Sequence, residues 1–266
     1  MSLMKRGGSE VKAGAWRRVR GGLAWAGAAV LDQLYPPCCG GCGAPLAEAQ
    51  GLCGACFAKL RPITAPLCSV MGIPVEAEGG DFLSAEAIAD PPPFARARAS
   101  VHYNEMAGAL VAKLKYGDRP ELAKLCARLM VGAGREFWGA KPVLVPVPLH
   151  ASRLRFRRYN QSMMLAQEIA RLAVLEVDAF VVRRKRKTAQ QVGLSGDRRL
   201  RNVQGAFAAH PHALERLKGR GVVIVDDVYT TGATVKAVTR VLKRAGVEKI
   251  EVLSFARVVI GDDNPI

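Results

Sequence analysis

The sequence predicts an α/β protein: a parallel sheet flanked by helices, preceded by a small module built on four cysteines. Three observations carry this. From Phe94 onward short continuous apolar runs alternate with segments of helical period, as strands buried on both faces between helices require. Val222-Val223-Ile224-Val225 is followed at once by Asp226-Asp227 and by the Thr/Gly loop Thr230 to Thr234. Two C-x-x-C pairs, Cys39/Cys42 and Cys53/Cys56, stand ten residues apart in a stretch too poor in large apolar residues to form its own core.

In chain order, residues 1–34 divide into a polar, glycine-bearing tail predicted to be disordered up to about residue 15 and an amphipathic helix. Lys5, Arg6, Arg17, Arg18 and Arg20 ahead of the apolar run Gly21 to Leu31 mimic a signal peptide. Asp32 ends that run well short of the roughly 20 residues that span a membrane. Trp16, Val19, Leu23, Ala26, Val30 and Leu34 recur at helical spacing instead, so no transmembrane segment is expected. Residues 35–70 form the cysteine module. The thiolates of Cys39, Cys42, Cys53 and Cys56 suit a closed tetrahedral zinc site with a structural role, and such thiols point to a reducing cytoplasm. Residues 71–93, with Gly79-Gly80 and Pro91-Pro92-Pro93, read as a linker, and residues 94–260 as the main domain.

Within that domain the pattern predicts a helix over Glu105 to Tyr116, a charged turn at Gly117-Asp118-Arg119 and a second helix opening at Pro120. Val143 to Val145 is a buried strand, followed by a loop and a helix over Gln161 to Leu172. Residues 180–182 suggest a further strand. The last unit is strand Val222 to Val225, a tight loop, helix Ala233 to Arg244 and strand Ile250 to Phe255.

Ligands of open parallel sheets sit beyond the carboxyl ends of the strands, where Asp226 and Asp227 are expected. Two carboxylates there accept hydrogen bonds from vicinal ribose hydroxyls. Thr230, Thr231, Gly232, Ala233 and Thr234 add hydroxyls, free backbone N–H groups and a helix N-terminus that favours phosphate. The spacing thus reads a ribose with its 5′-phosphate as one unit. The loop after Val143 to Val145 offers backbone amides near Leu149 and His150, with Arg153 and Arg157 behind them, for a second anionic group. Arg183 to Asn202 is cationic and without period. It reads as a solvated loop, as a nucleic-acid track, or as a mobile lid that brings Arg198 and Arg199 onto developing charge. The excess of 39 basic over 23 acidic residues, a net charge of +16, calls for an anionic partner, be it nucleic acid, a polyphosphate or an acidic surface.

Segment 222–234 resembles the signature of type I phosphoribosyltransferases. That resemblance implies phosphoribosyl pyrophosphate as ligand, magnesium on its pyrophosphate, and a transferase acting on an acceptor the sequence does not name. The order of a cysteine knuckle, KLKYGDRPELA, VPVPLHASRLRFRRYNQS, RKTAQQVGLSGDRRLRNVQGAF and the phosphoribosyl signature is similar to that of the ComF family. Its members join a zinc finger to a phosphoribosyltransferase domain and include factors for DNA uptake. The family resemblance implies a second function, an accessory role in DNA uptake with single-stranded DNA and competence or translocation proteins as partners and the phosphoribosyl site as a sensor. A third reading is a regulator that binds the ligand without turnover. Many relatives carry a further C-x-x-C, whereas Cys68 here is followed by Ser69-Val70-Met71, so one zinc is expected.

Overall fold

The computed structural model describes residues 37–47, 51–76, 81–117, 119–186 and 203–259. The amphipathic helix expected before residue 35 and the candidate lid cations Arg198 and Arg199 lie outside them. The chain divides into two compact units, Met1–Cys53 and Gly54–Ile266.

In the first unit the chain makes a tight knuckle. Cys38 and Pro45 form an antiparallel bridge, and the Cys39 and Gly43 amides donate to the carbonyls of Ala44 and Cys39 at 2.7 and 2.9 Å.

The second unit opens with two short helices, α1 (Gly54–Ala58) and α2 (Ala85–Ala89), and continues with strand β1 (Arg96–His102). Helices α3 (Glu105–Tyr116) and α4 (Leu122–Ala133) follow, then strand β2 (Val143–Pro146), a short α5 (Ala151–Arg157) and α6 (Gln161–Ala173). After them come β3 (Glu176–Val177), β4 (Val182–Arg184), β5 (Phe207–Ala209), α7 (Ala213–Leu217), β6 (Val222–Tyr229), α8 (Ala233–Arg244) and β7 (Ile250–Arg257). Five strands form one sheet in the order β1-β7-β6-β2-β3, and every neighbouring pair is parallel.

Side chains alternate across a strand, and each face of this sheet has its own cover. Val143, Val145, Val222, Ile224, Ile250 and Val252 share a core with Val235, Val238 and Leu242 of α8. Leu144, Val223, Val225, Leu253 and Phe255 are also buried, and α4 and α6 pack against β1, β2, β6 and β7. Buried on both faces, β6 needs no polar alternation, which is why Val222 to Val225 reads as an unbroken apolar run.

The termini of several elements differ from the sequence expectation. β6 runs on through Asp226 and Asp227 to Tyr229, because pairing to β7 continues to Tyr229↔Arg257. The strand expected at 180–182 falls at Val182–Arg184, outside the main sheet, in an antiparallel ribbon with β5. β1 has no counterpart in the expected elements. Residues 71–93, read as a linker, contain helix α2 and the buried Met71, and the division between compact units falls earlier, at Cys53/Gly54. No helix among the described residues is long and apolar enough to cross a membrane.

Candidate functional site

At the carboxyl end of β6 the strand delivers Asp226 and Asp227 into a cavity of about 320 Å³, near the lower end of the roughly 300–1,000 Å³ that small-molecule sites occupy. Asp226 Oδ1 accepts from Ser162 Oγ and from the Asp227 amide, both at 3.0 Å. Asp227 Oδ2 is 2.8 Å from Lys115 Nζ. The enclosure of its carboxyl group and the neighbouring charge of Asp227 push the Asp226 pKa up to about 7, against the opposing pull of Lys115. Burial lowers the Lys115 pKa, but Asp227 and Asp226 outweigh it and raise the value above its ordinary range. The Asp226 carboxyl is thus poised near neutral pH, where a small gain in positive charge beside it favours its ionised form.

The loop after β6 turns into α8 through Gly232, whose φ of +70° is left-handed. A Cβ at that position would lie 2.2 Å from Tyr229 Oη. Only glycine allows this turn at this distance from the ring. Tyr229 is itself fixed, with an edge contact to Phe94 at 6.4 Å between ring centroids and the Arg257 guanidinium 4.1 Å above its ring centroid. Thr230, Gly232, Ala233 and Thr234 line the cavity at the N-terminus of α8. Thr231 is not among the lining residues; its hydroxyl is buried.

The other wall is cationic. Leu149, Arg153 and Arg157 line the cavity from the segment after β2, whereas His150 does not. His150 caps α5 instead, its Nδ1 accepting from the Ser152 amide at 3.3 Å. Arg157 is held by Tyr116 Oη at 2.7 Å and Gln161 Oε1 at 3.2 Å, with its guanidinium 4.7 Å from the centroid of the Tyr116 ring. Burial brings the Arg153 pKa down, and the nearby Arg157 adds to that. Arg184, on β4, also lines the cavity; burial first and then Arg153 lower its pKa to about 10. Among the described residues, desolvated cations crowded together opposite two carboxylates favour a polyanion.

Sequence reasoning named neither Lys115 nor Arg184 as a site residue. For Lys115 a signal existed: Gly108, Val111, Ala112 and Lys115 all line the cavity, and their spacing is one stripe of α3. A lysine on an otherwise apolar stripe implies a buried partner. Arg184 carried no such mark, since it sits within a run of arginines and lysines.

The four cysteines converge. The sulfurs of Cys39, Cys42, Cys53 and Cys56 all lie within 4.8 Å of one another, with Cys42 and Cys53 at 3.7 Å. A tetrahedron with metal–sulfur bonds of about 2.3 Å has edges of about 3.8 Å, so the donor set fits a structural zinc. Burial raises the Cys39 pKa, but the amides of Cys53, Cys42 and Gly41 outweigh it and bring the value down to about 6, which favours the ligating thiolate.

Comparison with known proteins agrees with this geometry. Residues 114–264 match the phosphoribosyl transferase domain family, and residues 30–88 match the double zinc ribbon domain. The DNA utilization protein YhgH of Escherichia coli is 33% identical over 228 residues, spanning 84% of this chain and 97% of that protein. Competence protein F of Haemophilus influenzae is 29% identical over 78% of this chain and 91% of its own length. Competence protein ComFC of Bacillus subtilis is 25% identical over 74% and 80%.

Proposed function

This chain belongs to the ComF family of phosphoribosyltransferase-domain proteins, and from that premise we propose that its cavity binds phosphoribosyl pyrophosphate and transfers the phosphoribosyl group to an acceptor. One observation carries the reading: an acidic pair in the carboxyl-terminal half of β6 and a glycine-turned helix N-terminus face the same cavity as Lys115, Arg153, Arg157 and Arg184. Asp226 and Asp227 take the ribose hydroxyls, and Thr230, Gly232, Ala233 and Thr234 hold the 5′-phosphate at the N-terminus of α8. Arg153, Arg157 and Arg184 face the pyrophosphate. Leu149 stays with that group through its backbone, while His150 serves by capping α5.

In the reaction the acceptor forms a bond to the anomeric carbon as the bond from that carbon to the pyrophosphate oxygen breaks. Negative charge then grows on the leaving pyrophosphate, where the arginines stabilise it. Magnesium fits as a companion of the ligand. Among the described residues the cavity lining offers two carboxylates, so the ion would be held chiefly by phosphate oxygens and water, as is usual for it. Zinc on Cys39, Cys42, Cys53 and Cys56 has a structural role, because four thiolates leave no open position.

The test is release of pyrophosphate from phosphoribosyl pyrophosphate and magnesium across a panel of amines, bases and single-stranded DNA. Release with one acceptor class is expected. Tight binding with no release under any condition leaves the site a sensor and contradicts transfer.

A second reading, an accessory protein of DNA uptake, is favoured by the net charge of +16 and by the names of the relatives. It requires measurable binding of a single-stranded oligonucleotide at low salt. Absence of such binding by anisotropy contradicts direct DNA contact.

A further inference from the structure

Residues 66–89 repeat the backbone hydrogen bonding of the cysteine knuckle while carrying a different set of side chains. In the knuckle the Cys39 amide donates to Ala44 O at 2.7 Å, Gly43 to Cys39 O at 2.9 Å and Leu46 to Pro37 O at 2.7 Å. In the later segment Cys68 donates to Ile73 O at 2.8 Å, Gly72 to Cys68 O at 2.8 Å and Val75 to Pro66 O at 3.1 Å. The antiparallel bridges correspond too, Cys38↔Pro45 and Leu67↔Pro74. Both turns close on a glycine of left-handed φ, +81° at Gly43 and +63° at Gly72.

The second arm of each lobe follows the same plan. Gly40 donates to Gly51 O at 3.0 Å, and Ser69 to Phe82 O at 2.8 Å. The Cys53 amide donates to Cys39 Sγ at 3.2 Å, and the Ser84 amide to Cys68 Sγ at 3.2 Å. Cys53 immediately precedes helix α1, and Ser84 immediately precedes helix α2. Position by position, the ligands Cys39, Cys42, Cys53 and Cys56 therefore answer to Cys68, Met71, Ser84 and Ala87. The double zinc ribbon match at 30–88 spans both lobes.

The second set does not fit zinc. It offers a thiol, a thioether, a hydroxyl and a methyl, whereas a structural zinc site takes four thiolate, imidazole or carboxylate ligands. The hydroxyl is engaged as the cap of α2, where Ser84 Oγ accepts from the Ala87 amide at 3.3 Å. Cys68 and Met71 are fully buried, and with Ala87 they join the core that contains Phe94 and Tyr229. Side chains thus fill the place that a metal takes in the first lobe. The lobe also faces the phosphate loop: Met71 O accepts from Arg257 Nη1 at 2.5 Å, Glu86 Oε2 lies 3.6 Å from Arg257 Nη2, and that guanidinium covers Tyr229 beside Gly232.

We propose that residues 66–89 are a second ribbon lobe in which hydrophobic packing has replaced the metal, so that the chain holds one zinc and this lobe folds without any. The count of one rests on the zinc assignment above; the metal-independence of the second lobe does not. Metal analysis of the full chain by mass spectrometry is expected to give one zinc per chain for the native protein and for Cys68→Ala. The combined variant Met71→Cys, Ser84→Cys, Ala87→Cys, which completes a second four-thiol set, is expected to give two.

Two zincs in the native protein, loss of zinc in Cys68→Ala, or a folded triple variant that gains none overturns the proposal. A native count of zero with a gain of one in the triple variant defeats only the first-lobe assignment. Should the triple variant fail to fold, hydrogen exchange of the native chain under chelator decides the matter. Protection at Gly72, Val75 and Ser84 is expected to persist while that at Gly43, Leu46 and Cys53 is lost, and loss at all six overturns the proposal.

Discussion

At Asp226 the protein keeps a carboxyl whose pKa is pushed up to about 7 by enclosure and by Asp227. The folded value lies above the ordinary value of 3.8, so the folded state binds the proton more tightly than the unfolded chain. Its contribution is full below about pH 4 and is lost as the pH rises towards 7. Asp226→Asn removes that loss, and urea unfolding should find the variant gaining on the native protein between pH 5 and 8, by on the order of 1 kcal/mol. No gain, or a gain at pH 5 only, contradicts the assigned environment. Gly232→Ala is the opposite kind of change, placing a methyl 2.2 Å from Tyr229 Oη at a left-handed φ. It should cost about 1–3 kcal/mol of stability and weaken phosphoribosyl pyrophosphate at least tenfold in calorimetry; native affinity contradicts the phosphate-loop role. Both residues were legible in the sequence because an acidic pair and a Thr/Gly loop follow a continuous apolar strand. Lys115 carries a weaker mark, a lysine on the apolar stripe of α3, while its partner Asp227 is set by the fold.

Several elements have no counterpart in the sequence expectation, and for β1 its residues give the reason. Arg96 and Arg98 interrupt the small apolar residues Ala97, Ala99 and Val101, so the alternation is present but weak. In the fold those arginines are satisfied: Arg96 pairs with Glu251 and Glu136, and Arg98 with Glu136. Glu251 is 2% exposed, and removing Arg96 would leave it enclosed without its cation. Arg96→Met should therefore destabilise the fold by about 2–3 kcal/mol, whereas Arg96→Met with Glu251→Met should recover most of it. Equal losses in the single and double variants, read from urea midpoints, contradict the pairing. Helices α3 and α8 fall where caps and period placed them, at Glu105–Tyr116 and Ala233–Arg244. β6 was read four residues short because an acidic pair inside a strand looks like its end, although the ladder to β7 continues past it.

For the whole molecule, the net charge of +16 sets the terms on which any nucleic acid binds. A DNA role carried by phosphate contacts implies a steep fall of affinity with salt. Anisotropy on single-stranded oligonucleotides between 50 and 200 mM salt should lose at least a hundredfold if about six phosphates are neutralised. A flat salt profile contradicts an electrostatic track.

The proposed phosphoribosyl site makes a separate and sharper demand, because under that proposal one cavity reads ribose, 5′-phosphate and pyrophosphate together. Calorimetric titration of the full chain with phosphoribosyl pyrophosphate and magnesium tests it most directly, with Asp226→Asn, Asp227→Asn as the paired control. Saturable binding near one ligand per chain is expected, and the paired substitution is expected to abolish it. No binding by the native protein, or unchanged binding by the variant, contradicts it.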